Sequence, residues 1–368
     1  MCKKILLTAR DPGAVGHLSV LYDWLKYEYE VFVISSGTAY KLLSDLGISS
    51  IKFELENGRD IIRTTQENEF LINAAKKLVY EIRPDLIVAS LSSFGAGIDE
   101  AVIAVSPHNA IAIQDFWGDL NLSLGIPASK YLVMDEFAYN LTKKKSKVEC
   151  LISGSIKHTL YKNFDIAKMR QSGRNLLLKD KIKKVIGWFG QNIEIPGYID
   201  VLKSFVKSIS NSLNDYSFIY RGHPKFVDTH KTEVEIFQSK GIDILDATDI
   251  ETTEQWLSIC DIIVTPFSLC GLDHAYLSKY ANNPIGCVMY LMTNKAIRNF
   301  AKENIGCVGF PIIEDRIGNL ILDPADINSS LTRLSGSHAK TNYFYASKNL
   351  GIDNTKEVVL NCVKSYIQ

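Results

Sequence analysis

Along the first half of the chain, short apolar runs alternate with longer amphipathic ones. "KKILLTA" reads as a strand, "VGHLSVLYDWLKY" as a helix and "EVFVISS" as a strand. "GTAYKLLSDLG" reads as a helix closed by Gly47, since glycine takes the left-handed C-terminal cap without steric cost. "ENEFLINAAKKLVYEIRP" is a helix stopped at Pro84, followed by the strands "DLIVASL", "NAIAIQDF" and "KYLVMDE". Each strand is apolar on both faces, as a sheet covered by helices on two sides requires. The alternation predicts βαβ units and a parallel sheet.

The second half repeats the plan. "KKVIGWFG" is a strand, "YIDVLKSFVKSISNSL" a helix, "YSFIYRG" a strand and "THKTEVEIFQSKG" a helix; then come "IDILDA", the helical "TEQWLSIC", the strand "DIIVTPF" and the helical "LDHAYLSKYA". The pattern predicts an α/β protein of two doubly wound, Rossmann-like domains facing each other across a cleft. The break falls near "CLISGSIKHTLY", giving domains at 1–153 and 154–345. Residues 346–368 carry an amphipathic helix with Val358, Val359, Cys362, Val363 and Tyr366 on one stripe. A length of 368 residues suits two cores better than one.

Composition removes several classes of function. Lys+Arg and Asp+Glu balance at 41 each, and no basic run exceeds Lys143 to Lys145, so a nucleic-acid partner is not expected. The apolar run Ile5–Leu7 near the N-terminus is far too short for a signal segment or a membrane span, which points to the cytoplasm. The seven cysteines Cys2, Cys150, Cys260, Cys270, Cys287, Cys307 and Cys362 form no CxxC pair and read as buried reduced thiols. HExxH, GxSxG, P-loop and paired Cys/His metal spacings are absent, so no metal is expected and metal-free transfer of a polar group fits better.

In open parallel sheets, ligands bind beyond the carboxyl ends of the strands. Five such tips carry candidate chemistry. "TARDPGAVGHL" places Asp11, Gly13 and Gly16 before a helix whose N-terminus favours an anion, or forms a plain strand-to-helix turn. "AIAIQDFWGDL" delivers Gln114, Asp115, Phe116, Trp117, Gly118 and Asp119; aromatic flanks that desolvate Asp115 raise its pKa toward values useful in proton transfer, and aromatic faces stack on sugars. "IGWFGQN" offers Gly190, Gln191 and Asn192, small or amide-bearing residues suited to close approach of phosphate or hydroxyls. "SFIYRGHPKF" ends an apolar strand in Arg221, Gly222, His223 and Pro224, where Arg221 and His223 are donors for phosphate oxygens. "DIIVTPFSLCGLDHAYLSKY" joins Thr265, Ser268, Gly271, Asp273 and His274, hydroxyls and a glycine at a helix start that make an anion cradle, with Asp273 able to accept from ribose hydroxyls.

The order of these motifs resembles the GT-B superfamily of nucleotide-sugar enzymes, which includes glycosyltransferases and the hydrolysing nucleotide-sugar 2-epimerases, over nearly the whole chain. "YRGHP" looks like the His-Pro motif that bacterial sialyl-, polysialyl- and Kdo-transferases use on the nucleotide phosphate. "TPFSLCGLDHAY" sits where relatives carry a phosphate loop and an acidic ribose contact, and "IQDFWGD" where the epimerases carry a catalytic glutamate, here Asp115. Two departures, Asp273-His274 in place of an acidic pair and "ARDPG" in place of a "TRPE"-like turn, put a transferase ahead of an epimerase.

The resemblance implies an inverting, metal-independent glycosyltransferase of surface polysaccharide biosynthesis, with a CMP- or UDP-activated sugar as substrate and no separate cofactor. Arg221, His223, Ser268, Gly271, Asp273, Gly190 and Gln191 would hold the donor. Asp115 would serve as base, with Asp11 in reserve, and Gly13, Trp117 and Asp119 would bind the glycan acceptor. A 2-epimerase or nucleotide-sugar hydrolase and a non-catalytic nucleotide-sugar-binding protein are the alternatives; oligomeric state is unassigned.

Overall fold

The computed structural model describes residues 2–54, 64–91, 95–177, 183–210, 215–224, 226–248, 250, 252–306, 311–313 and 316–367. They form two compact units, Met1–Leu160 with Gly351–Gln368, and Tyr161–Leu350. Cys307 lies outside the described residues.

The first unit is built on the strands β1 (Lys4–Ala9), β2 (Glu30–Ser35), β3 (Ile51–Lys52), β4 (Leu86–Ser90), β5 (Ala110–Ile113), β6 (Lys130–Val133) and β7 (Glu149–Ile152). Their order is β3-β2-β1-β4-β5-β6-β7, all parallel, so the chain starts mid-sheet and winds outward in both directions. Local signals set the helix ends. Asp11 caps the helix Pro12–Leu25 by accepting from the Ala14 amide, with proline at its first position. Thr64 and Glu67 form a reciprocal capping box at the start of the helix Thr65–Ile82, which ends at Arg83 in the left-handed conformation just before Pro84. Gly47 takes φ 73° after the helix Gly37–Asp45.

The helix Thr355–Ile367 belongs to this unit: Val359, Cys362, Val363 and Ile367 join the core of Ile5, Leu7, Leu18, Leu21, Val88 and Ile111. Burial of one aliphatic side chain is worth about 1.5–3 kcal/mol, which is what fastens so short a helix.

The second unit carries β8 (Lys184–Phe189), β9 (Tyr216–Arg221), β10 (Ile244–Asp246), β11 (Ile262–Thr265), β12 (Cys287–Leu291) and β13 (Asn319–Ile321) in the order β10-β9-β8-β11-β12-β13, again all parallel. Beneath β8 and β9 lies an aromatic core in which Trp188 stacks on Phe205 at 5.2 Å and Phe205 meets Phe237 edge-on at 6.3 Å. At the opposite end from the strand tips, Asp261 is buried and paired with Arg170 (2.8 Å), Arg174 (2.5 Å) and Lys340 (2.5 Å), and it also accepts from the Val185 amide. One carboxylate thereby ties the helices Ile166–Leu177 and Ser337–Ser347 to β8 and β11.

β3, β12 and β13 lie outside the runs read from the pattern. β3 is two exposed residues with no apolar signature, whereas "CVMYL" of β12 obeys the same rule that predicts β11. The cysteine expectation is corrected in part: Cys260, Cys287 and Cys362 are buried free thiols, but Cys2 is exposed and Cys150 and Cys270 are half-buried. Among the described residues no helix is long and apolar enough to cross a membrane.

Candidate functional site

The strand tips of the second unit build a small pocket lined by Phe189, Gly190, Arg221, Gly222, His223, Pro224, Thr253, Ser268 and Cys270. Four sequence-predicted residues therefore come together: Gly190 at the end of β8, Arg221 and His223 at the end of β9, and Ser268 after β11. The helix Cys270–Tyr280 begins beside them. A helix N-terminus carries unsatisfied amides and about half a positive charge, which suits an anion.

Both glycines in this lining stand where no side chain fits well. A Cβ on Gly222 would lie 2.2 Å from the His230 ring, and one on Gly190 would lie 3.2 Å from Glu233 Oε2. Ser268 Oγ accepts from the Cys270 amide (3.2 Å), while the Ser268 amide donates to Thr265 Oγ1 (3.2 Å). Arg221 lines the pocket with its guanidinium committed to protein acceptors: Nη1 to the carbonyls of Ala247 (2.5 Å) and Ile250 (3.3 Å), and Nε to Thr253 Oγ1 (3.2 Å). It braces the loop between β10 and the helix Thr253–Ile259.

Other predicted residues stand elsewhere. Gln191 is outside the lining, its amide donating to the Tyr198 hydroxyl at 3.2 Å. Gly271 faces the sheet rather than the pocket, since a Cβ there would meet the Tyr290 hydroxyl at 2.1 Å; its smallness serves helix-on-strand packing. Asp273 sits in the first turn of the helix Cys270–Tyr280, outside the lining. Its neighbour His274 is fully buried against the Tyr343 hydroxyl (3.0 Å), and burial followed by the nearby Arg170 charge pushes its pKa down to about 3.

In the first unit, the tips of β1 and β5 meet. Asp115 Oδ1 lies 3.0 Å from His17 Nε2 and 3.8 Å from Lys157 Nζ. Its other oxygen presses so closely on the helix start that a Cβ on Gly13 would fall 2.0 Å from it. Burial by itself would raise the Asp115 carboxyl, but Lys157, the hydrogen bond and charge of His17, and His158 outweigh it and hold the group well below the usual carboxylate range. This corrects the expectation that aromatic flanks raise the Asp115 pKa: Lys157 and His17, the latter 98 residues away in the chain, override desolvation. Trp117 is also corrected as a sugar platform. It is fully buried, donates from Nε1 to Asp135 Oδ2 at 2.8 Å and meets Phe116 edge-on. Asp11 is almost wholly buried as the cap of the helix Pro12–Leu25.

Asp119 has a different environment. It is half-buried, accepts from the Asn121 amide (3.0 Å), and burial together with the Glu100 charge pushes its pKa up to about 7 against the opposing effects of that amide, Lys145 and Arg10. Arg10 and Glu100, whose charges act on it, are buried, as is Asp99 beside them. Arg10 lies 3.5 Å from Asp99 and 3.4 Å from Glu100 and donates to the Gly95 carbonyl (3.0 Å), while Asn121 Nδ2 donates to Glu100 and to Gly95. Burial, followed by the Glu100 charge, raises the Asp99 carboxyl well above its ordinary value. A carboxyl near neutrality beside fixed charges is the environment a proton-transfer group needs. Among the described residues no group of three or more His, Cys, Asp or Glu side chains is placed to hold a metal ion.

Arg10, His17, Asp99, Glu100, Asn121 and Lys157 were not singled out from the sequence. The strand-tip rule reaches Arg10 and, through the loop after "DLIVASL", Asp99 and Glu100. His17 lies one helical turn after Gly13, a spacing that puts both on one face. Lys157 has no comparable signal.

Gly13→Ala is expected to lower stability by about 1–3 kcal/mol, the range for overpacking a tight site. Urea denaturation measures it, with Gly16→Ala as the tolerant neighbour because its Cβ would meet only the flexible Lys157 stem at 3.3 Å.

No family model and no curated protein sequence matches the chain. Solved structures do. S. aureus MnaA with UDP is 12% identical over 99% of this chain and 97% of that one, with a TM-score of 0.71. A UDP-GlcNAc 2-epimerase from Neisseria meningitidis bound to UDP-GlcNAc is 13% identical over 98% and 100%, TM-score 0.72, and a glycosyltransferase from Rickettsia africae ESF-5 is 11% identical over 100% and 99%, TM-score 0.64. At these identities the likeness shows the fold alone: two α/β units, each built on a parallel sheet.

Proposed function

We propose that the chain is a nucleotide-sugar enzyme, and specifically an inverting glycosyltransferase. The observation that carries this reading is the strand-tip pocket, where Gly190, Gly222, His223 and Ser268 converge beside a helix N-terminus. Donor phosphates fit there. The His223 imidazole and the Ser268 hydroxyl donate to phosphate oxygens, and the helix dipole favours their charge. These groups also stabilise the nucleotide as it leaves. Arg221 supports the site by fixing its loop.

The base in this reading is Asp119, whose pKa matches neutral pH, and Asp115 anchors His17 and Lys157 instead. Asp119 takes the proton of an acceptor hydroxyl as that oxygen attacks the anomeric carbon. The sugar–phosphate bond breaks with the electron pair going to the phosphate, and a single displacement of this kind inverts the anomeric centre. UDP is placed ahead of CMP as the nucleotide because the solved structures of the same fold carry UDP or UDP-GlcNAc.

A second reading, a UDP-sugar 2-epimerase, draws on the names of the same fold neighbours. The two readings separate in one assay: an epimerase yields UDP or the epimeric sugar from UDP-GlcNAc alone, whereas a transferase needs an acceptor.

The pocket itself is tested by a thermal-shift panel of CMP, UDP, GDP and dTDP. A ligand at a hundred times its Kd stabilises the folded state by about 2.7 kcal/mol, a shift of several degrees. UDP is expected to give that shift, His223→Ala to lose it, and UDP to slow alkylation of Cys270, read by peptide mass. Absence of a shift with all four nucleotides would overturn the reading.

A further inference from the structure

We infer that one turn of the helix His230–Gln238 positions both loops of the nucleotide pocket, with His230 and Tyr198 as the positioning residues. The inference rests on the pocket reading above, since it says how that site is held in shape.

Two separate attachments converge on this helix. Glu233, fully buried, accepts from the Tyr198 hydroxyl. That hydroxyl in turn accepts from Trp188 Nε1 and from the Gln191 amide, each at 3.2 Å, so the tip of β8 hangs on it. Three residues earlier on the same helix, His230 donates from Nε2 to the His223 carbonyl at 3.0 Å. Its ring lies against Gly222, where a Cβ would stand 2.2 Å away, and meets Tyr220 edge-on at 6.1 Å. The tip of β9 is therefore seated on His230. Residues three apart share a helix face, so His230 and Glu233 hold the two loops at a constant separation.

The arrangement explains three features that phosphate contact does not. Gly190 would bring a Cβ within 3.3 Å of the Tyr198 hydroxyl and 3.2 Å of Glu233, so its smallness keeps loop and strut together. Gln191 is turned to Tyr198 by its backbone amide. Glu233, a buried acid at some remove from any proton transfer, has a partner whose function is geometric. Burial raises its pKa ahead of the opposing hydrogen bond from the Tyr198 hydroxyl, which suits a group that holds a hydroxyl rather than a charge.

Tyr198→Phe and His230→Phe each delete one attachment and keep a ring in place. Hydrogen–deuterium exchange on the nucleotide-free protein is expected to quicken at residues 189–192 in the first variant and at 221–224 in the second, each sparing the other loop. UDP binding is expected to weaken about tenfold in each, the worth of one hydrogen bond, with the melting temperature of the free protein changed by no more than a few degrees. Glu233→Gln, which keeps an acceptor for Tyr198, is expected to stay within about threefold of wild type.

Exchange unchanged in both variants would overturn the inference. So would weakened binding accompanied by a general fall in melting temperature and quickened exchange across the whole unit, the mark of a merely structural role. A wild-type protein that binds no nucleotide would overturn the pocket reading instead, and the exchange result would still decide whether this helix turn holds the loops.

Discussion

Asp119→Asn is expected to cut turnover by roughly 10²–10⁴-fold, the usual contribution of a positioned acid–base group, while nucleotide binding stays at the wild-type level. The expectation follows from one carboxyl being pushed up to about 7 by burial and Glu100, in a unit where another, Asp115, is held far below the usual range by Lys157 and His17. Only the first can both accept a proton and give it up near neutrality. With Asp119 as base, the ionised form is the active one, so wild-type activity should rise with pH through about 7 and that limb should vanish in the variant. Asp115→Asn serves as the contrast: it should disturb the His17 and Lys157 geometry but leave the limb near 7 in place. If Asp119→Asn retains turnover within a few fold, the assignment is wrong.

The largest expected effect on stability is at Asp261. Asp261→Ala should destabilise the second unit by about 3–5 kcal/mol, the cost of leaving buried charges without their partner. Three cations, Arg170, Arg174 and Lys340, retain only about a fifth of their side-chain exposure or less, at 19%, 22% and 17%, and would face one another with no counter-charge. The Val185 amide would lose its acceptor as well. Urea denaturation of the variant measures the loss. The same site predicts an acid response. Burial alone would raise the Asp261 carboxyl, but Lys340 and Arg174 outweigh it and lower its pKa in the folded state. Its stabilisation is therefore complete above the ordinary aspartate range and is lost as pH falls through the lower folded value. Wild type should lose stability along that acid limb, and the variant should lack this part of the loss.

Much of the architecture was legible because strand and helix periodicities are local. "KKILLTA", "DLIVASL" and "DIIVTPF" announce buried parallel strands by having no polar face, and Gly47 and Pro84 mark helix ends by backbone geometry alone. β3 was not legible, since Ile51 and Lys52 pair at the sheet edge with no pattern to signal it. The pocket was partly legible: the carboxyl ends of parallel strands pointed to Gly190, Arg221, His223 and Ser268, and the fold brings all four together. Gly271 shows the limit of that rule, because the same glycine that suits an anion cradle also suits close packing on Tyr290.

What the sequence by itself determined is the winding of two α/β units and the list of strand tips where chemistry can sit, because both depend on residues near one another in the chain. Tertiary structure alone decided what those residues do. Asp115 became an anchored anion through His17 and Lys157, Asp119 became the titratable carboxyl through Glu100 and its burial, and Arg221 became a brace through Ala247, Ile250 and Thr253. Protonation and hydrogen bonding are set by charges and solvent within a few ångströms of a group, and those neighbours are chosen by the fold, not by position in the chain.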